Sequence, residues 1–286
     1  MKFVSFVQAG KTRLGVLTEQ GVIDLNQAVP SVPADLREAL EQGVDLKAAG
    51  EQAIASNAAR IPTEGLEYAP VVPRPHKIIC LGLNYFDHAK EGGREKPDYP
   101  WFFYRGSSSL LAHGKEALLP RVSTRFDWEA ELAVVIGKAG KHVSQDKALD
   151  LVFGYACFND LSVRDYQKRT PQWTIGKNFD ATGGFGPYLA TADELPEGAR
   201  DLRIQCRVNG VVKQDANTSD MIFDVKETIA LLTECMTLEP GDVIVMGTPA
   251  GVGQARTPPE FMKGGDVVEI EIDGLGVLRN PVKQEV

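Results

Sequence analysis

Apolar residues fill both faces of three short runs, Ile78–Leu81, Leu132–Ile136 and Leu151–Phe158, the pattern of strands buried on both sides of a sheet. The second run is preceded by Arg125-Phe-Asp-Trp-Glu-Ala-Glu131, a strand-like stretch with acids where a core strand carries apolar side chains. Upstream, Phe3–Val7, Arg13–Thr18 and Gly21–Asn26 read as three short strands joined by Ala-Gly-Lys and Glu-Gln-Gly turns. Helices are expected next over 33–41 and 45–60, the second rich in Ala and so lightly packed. Three prolines within Tyr68–His76 predict an extended linker. This pattern assigns 1–70 to a small N-terminal α+β domain and 71–286 to a larger one.

The larger part reads mostly β. A short helix over 86–91 stops at Gly92-Gly93, and the polar, proline-containing segment to Pro100 has the character of a lid. Trp101–Tyr104 resumes the strand pattern. Leu202–Val208 and Val211–Gln214 flank Asn209-Gly210, a strong hairpin signal. Ser219 or Asp220 is expected to cap a helix running to Met236, with Ile222, Val225, Ile229 and Leu232 as its apolar face. Val267–Ile272 and Leu275–Leu278 form a closing hairpin. Strands without regular β-α alternation argue against Rossmann and barrel architectures and for a mixed, mostly β fold with few helices.

Composition narrows the function. The 286 residues are 43% hydrophobic and 24% charged, as in ordinary globular proteins. No run approaches the roughly 18 apolar residues of a membrane span, and no signal-peptide pattern follows Met1–Gln8, so a cytoplasmic location is expected. A net charge of −8 argues against nucleic acid or an anionic membrane as partner, while local charge can still favour a small anionic substrate. Cys80, Cys157, Cys206 and Cys235 are far apart with no Cys-x-x-Cys, which points to free thiols in a reducing compartment, three of them buried.

The chemistry centres on three acids. Glu129 and Glu131, two apart on a strand, project to the same side, with Trp128, Ala130 and Leu132 on the other. Asp160 follows the apolar run 151–159. Such a pair is commonly a solvated sheet face, but with a distant Asp at a strand end it is the set a hard divalent cation needs. Asp160 is expected to cap a helix on which Asp160, Arg164 and Gln167 share one face. His88 and Glu91, at i and i+3, are spaced as an imidazole and the carboxylate that orients it, or as a surface pair. Lys177 lies among apolar and aromatic residues and needs an anion. Gly247-Thr-Pro-Ala-Gly-Val-Gly253 is either a plain turn or one whose N–H groups, with the Thr248 hydroxyl, hold a carboxylate; it is no Walker loop.

These segments resemble the fumarylacetoacetate hydrolase family in order and spacing: Gly82–Glu91, Glu129-Ala-Glu131, Asn159–Gln167, Gly176-Lys177, Val208–Gly210, Pro240–Asp242 and Gly247–Gly253. The match runs from about Pro73 to Val282. The resemblance implies a β-roll or sandwich around Mg²⁺ or Mn²⁺ in a homodimer, with Ca²⁺ disfavoured by the small ligand set. It implies Glu129, Glu131 and Asp160 as metal ligands, a His88–Glu91 dyad on a lid, and Lys177 as a further catalytic group. Tyr85, Arg164, Gln167, Gly247 and Thr248 are then the expected substrate contacts. The activity implied is hydrolysis of a C–C bond in a 2,4-dioxo acid of acylpyruvate type, releasing pyruvate, in the catabolism of aromatic or sugar-derived acids. The alternatives are an oxaloacetate-type decarboxylase or keto–enol isomerase using the same metal enolate, and a non-catalytic metabolite-binding module. Tyr104-Arg-Gly, where relatives carry Lys-Pro, and Ala112-His-Gly, in place of Gly-Pro-Gly, depart from the family pattern.

Overall fold

A computed structural model of the protein describes residues 1–93 and 95–286. The chain opens with β1 (Lys2–Gln8), β2 (Lys11–Thr18) and β3 (Gly21–Asp24), then α1 (Leu25–Ala28), α2 (Leu36–Glu41), α3 (Leu46–Ala55) and β4 (Arg60–Ile61). Each helix starts on an aspartate side chain that accepts a backbone N–H: Asp24 from Gln27, Asp35 from Arg37, Asp45 from Ala48. The third helix ends at Ala55 rather than near residue 60, because Arg60 and Ile61 pair with β3. Residues 68–76 are not the extended free linker expected: the backbone bends over 71–74 and again at His76. Tyr68 bridges Phe6, Ser5 Oγ donates to the Val71 carbonyl, and Val71 and Val72 are buried.

Then follow β5 (Ile78–Gly82), α4 (Phe86–Glu91), β6 (Trp101–Arg105), β7 (Leu110–Leu111), β8 (Ala117–Leu119), β9 (Phe126–Asp127) and β10 (Ala130–Ile136). Next come β11 (Val152–Asp160), β12 (Ser162–Val163), α5 (Arg164–Gln167), α6 (Thr174–Lys177) and β13 (Gly183–Thr191). The chain closes with β14 (Arg203–Val208), β15 (Val211–Asn217), α7 (Val225–Cys235), β16 (Val243–Val245), β17 (Val267–Ile272) and β18 (Gly276–Gln284). The lid segment expected to reach Pro100 includes residue 94, which lies outside the described residues.

An 11-stranded sheet runs β4-β3-β2-β1-β13-β11-β10-β16-β5-β6, with β7 beside β13. The N-terminal strands therefore continue the sheet that holds the acids, through the β1–β13 pairing of Phe3 with Leu189. A second sheet, β15-β14-β17-β18-β8, packs on it. The apolar side chains of β10 split as alternation demands: Leu132, Val134 and Ile136 enter one core cluster, Ala133 and Val135 the other. The fold is thus mostly β, with sheets packed face to face and few helices. Asn209 and Gly210 both take positive φ, 51° and 75°, the geometry of the hairpin turn that their sequence predicts.

Two helix starts differ from expectation. Asp160 caps no helix; it is the last residue of β11, paired with Gly183, and Val163 precedes α5. Sheet pairing with β13, a partner remote in sequence, holds the backbone extended there. Helix α7 begins after Asp224, whose side chain accepts from the Glu227 N–H, while 218–220 form a separate turn capped by Asn217. Among the described residues no helix is long and apolar enough to cross a membrane. Cys80, Cys157 and Cys206 are buried free thiols and Cys235 is exposed.

Candidate active site

Antiparallel pairing of β10 with β11 sets Ala130 opposite Asn159, and this register gathers Glu129, Glu131 and Asp160 at one end of the sheet. Each offers a carboxylate oxygen within 4.8 Å of the others, and all three are buried. Like charges brought together away from water require cations. Lys177 supplies one: its Nζ donates to Glu129 Oε2 and Asp160 Oδ2, both at 2.6 Å. It is carried by α6, which packs on α5 because Gly176 has no side chain; a Cβ there would lie 2.4 Å from the Gln167 nitrogen.

Arg164 supplies the second, with Nη1 2.6 Å from Glu129 Oε1. Arg105, fully buried, supplies the third: its Nε donates to Asp160 Oδ1, and its two other nitrogens reach Ser109 Oγ and the carbonyls of Leu161 and Thr182. Among the described residues Glu131 pairs with no cation, and its Oε2 accepts the Gly247 N–H at 2.6 Å.

The ionisation states follow from these partners. Burial pushes the Glu129 carboxyl up, but Lys177 and Arg164 more than reverse this and hold it well below the usual range. Burial and the neighbouring charges of Asp160 and Glu129 push Glu131 well above it. Burial lowers the Lys177 ammonium, yet Asp160 and Glu129 outweigh it and keep the group charged.

The donor set suits a hard divalent ion. It is all oxygen, without His or Cys, and among the described residues one buried carboxylate, Glu131, pairs with no cation. Oxygens already engaged by Arg105, Arg164 and Lys177 each keep a second lone pair. A measurable consequence follows for Glu131. A raised carboxyl favours the protonated folded state, so between the ordinary glutamate pKa of about 4.3 and the raised value the metal-free protein binds more protons folded than unfolded. Its stability should fall as pH rises through that window, and Mn²⁺ or Mg²⁺ binding should tighten with pH and release up to about one proton. Titration calorimetry at a pH inside that window, in two buffers of different ionisation heat, reads the proton count. Heats that agree in both buffers would refute it.

The dyad forms on α4. His88 Nδ1 lies 2.7 Å from Glu91 Oε1, and Glu91 Oε2 accepts the Gly251 N–H at 2.9 Å. The glycine-rich turn does hold carboxylates with its N–H groups, and they are the protein's own. Gly247 serves Glu131, Gly251 serves Glu91, and Gly253 and Gln254 serve Asp127 at 2.7 and 2.9 Å. Gly253 admits no side chain, since a Cβ would meet the Glu260 carbonyl at 2.0 Å. The Thr248 hydroxyl accepts from Gln214 Nε2 at 2.7 Å, which leaves its own proton to donate.

One cavity of about 280 Å³ is lined by His88, Glu91, Glu129, Glu131, Arg164, Gln167, Lys177 and Thr248. Asp160 sits behind Lys177. Tyr85 lies apart: it lines a neighbouring cavity with Asp87 and Met221, and its buried hydroxyl has no partner among the described residues. Arg164 and Gln167 do share a face, at i and i+3, with Nη1 donating to Gln167 Oε1 at 3.0 Å.

Two buried residues of the site carry roles beyond the sequence reading. Asp127 accepts from Arg164 Nε at 2.8 Å and from the Trp128, Gly253 and Gln254 N–H groups. Its signal was present in the alternation of Asp127, Glu129 and Glu131 along the sequence, although the structure ends β9 at Asp127 and begins β10, in another sheet, at Ala130. Arg105 stands where the family's Lys-Pro is replaced, and nothing local in the sequence ties it to Asp160, 55 residues on.

Residues 77–283 match the family model described as fumarylacetoacetate (FAA) hydrolase C-terminal. The chain belongs to the fumarylacetoacetate hydrolase family. It is 41% identical over 288 residues to the Xenopus laevis protein "Oxaloacetate tautomerase fahd2, mitochondrial", covering 99% of this chain and 90% of that one. Among solved structures it resembles a fumarylacetoacetate hydrolase from Exiguobacterium antarcticum, with 34% identity, full coverage of both chains and a TM-score of 0.86. A maleylpyruvate hydrolase from Sphingobium sp. SYK-6, in complex with manganese(II) ion and pyruvate, gives 31% identity, full coverage of both chains and a TM-score of 0.84. This family therefore holds enzymes of more than one reaction type on one fold.

Proposed function

We propose that the protein catalyses keto–enol tautomerisation of a 2-oxo acid of the oxaloacetate class, with Mg²⁺ or Mn²⁺ held by Glu129, Glu131 and Asp160. One observation carries the reading. Glu129 and Glu131 of the acid triad, the Lys177 ammonium and the His88–Glu91 dyad line a single cavity, with Asp160 held behind Lys177, in a chain alike along 99% of its length to a protein named as an oxaloacetate tautomerase. A bound divalent cation supplies Lewis acidity to the 2-oxo group. Glu91 Oε1 accepts a hydrogen bond from Nδ1–H of His88, the tautomer in which Nε2 is the basic atom and serves as the base. Nε2 takes the proton from the enol hydroxyl and delivers it to the adjacent carbon, or the reverse, with no net change in mass. The Lys177 Nζ stabilises the negative oxygen that develops meanwhile. Arg164 and Thr248 orient the acid.

C–C bond hydrolysis remains the second reading. It is favoured by the same imidazole, which can activate a water, and by the likeness to a maleylpyruvate hydrolase. Products separate the two. With Mn²⁺ and oxaloacetate, the enol absorbance should relax faster than the uncatalysed rate without change of mass, and His88→Gln should slow this by about 10²–10⁴-fold while leaving the Mn²⁺ affinity within a factor of about three. Pyruvate plus a second acid formed from acylpyruvates, with no acceleration of enol decay, would assign hydrolysis instead. Absence of both would leave metabolite binding as the function.

A further inference from the structure

The cavity carries cationic donors that its own acids do not use. Helix α5 and its C-terminal residue present Arg164, Gln167 and Lys168 to the cavity, at i, i+3 and i+4. Arg164 spends Nε on Asp127 and Nη1 on Glu129 and Gln167, but its Nη2 is buried without a hydrogen-bond partner among the described residues. Lys168 has no ion pair among the described residues, in contrast to Lys177, which holds two carboxylates. Its own turn adds positive charge: burial, then Arg164 and Arg125, lower the Lys168 ammonium from its ordinary value. Positive charge left unpaired beside a buried, unpartnered guanidinium N–H is a cradle for an anion.

On the proposed reading, a divalent cation held by Glu129, Glu131 and Asp160 would supply the attraction for the 2-oxo end of the acid. We infer that Lys168, with the free Nη2 of Arg164, takes a second carboxylate at the far end of the substrate, so that the enzyme selects dicarboxylic over monocarboxylic 2-oxo acids. The inference rests on the proposed 2-oxo-acid site, but not on whether the reaction there is tautomerisation or hydrolysis. Lys168 is then a specificity-determining residue and takes no part in proton transfer.

A matched pair of ligands tests it: oxaloacetate and its 4-ethyl monoester, which keeps the 2-oxo acid and the enolisable carbon but lacks the distal charge. The wild type should favour the diacid by about tenfold or more in kcat/KM, the size expected of a charge-assisted contact that is partly exposed to solvent. Lys168→Met should bring that ratio to within about threefold of unity, chiefly through KM for the diacid, and Lys168→Arg should restore it. If neither compound turns over, the reaction assignment fails on its own. The same pair titrated calorimetrically against the Mn²⁺-loaded protein then reads the preference as a ratio of Kd values. An unchanged ratio in Lys168→Met, or a wild type that does not discriminate, overturns the inference.

Discussion

Lys177→Met should cost the metal-free protein about 3–5 kcal/mol of stability, because it leaves Glu129 and Asp160 buried without the ammonium they share. Methionine fills much of the same volume, so the loss reports charge more than packing. A divalent ion neutralises the same oxygens, and saturating Mn²⁺ should therefore recover a large part of the difference. Turnover should not recover with it; it should stay down by about 10³-fold, since an ammonium at the developing oxyanion has no substitute. Urea unfolding with and without Mn²⁺, paired with kcat, separates the two effects. An equal destabilisation in both conditions would mean that lysine and metal do not share a site.

Asp127→Asn should be nearly as severe although Asp127 lines no part of the cavity. The carboxylate is fully buried and accepts four hydrogen bonds, from Arg164 Nε and the N–H groups of Trp128, Gly253 and Gln254. An amide offers one acceptor oxygen and turns N–H donors toward other donors. Breaking a buried pair in this way costs about 3–5 kcal/mol. The functional signature should be a KM effect larger than the kcat effect, because Arg164 loses the anchor that aims it. A urea midpoint equal to the wild type, or kcat falling with KM intact, would deny Asp127 this positioning role.

Much of the site was legible because its parts are local in sequence. Period-two alternation put Glu129 and Glu131 on one face, and i, i+3 spacing put His88 against Glu91. The pairing that decides Asp160 is not local. A cap and a strand end look alike when the partner strand is β13, some 23 residues later, and the extended form wins through backbone hydrogen bonds that no residue near Asp160 announces. The glycine-rich turn was open in the sequence between a plain turn and a carboxylate holder, and its N–H groups do hold carboxylates. That its carboxylates are Glu131, Glu91 and Asp127 could not be known before the fold brought them there. Arg105 belongs to the same class, a charge whose partner lies across the core.

By itself the sequence determined the strand pattern, the three acids, the dyad and the family, since each is carried by spacing along the chain or by ordered short motifs. The tertiary structure alone decided which cation meets which acid. It paired Lys177 and Arg105 with Asp160, tied Arg164 to Asp127, and left Glu131 with a single backbone N–H. It also joined the first four strands to the central sheet through β1 and β13. The physical reason is common to all of these. Electrostatic matching in a buried site is a condition on distances in space, and residues remote in sequence meet it only once the sheets have closed.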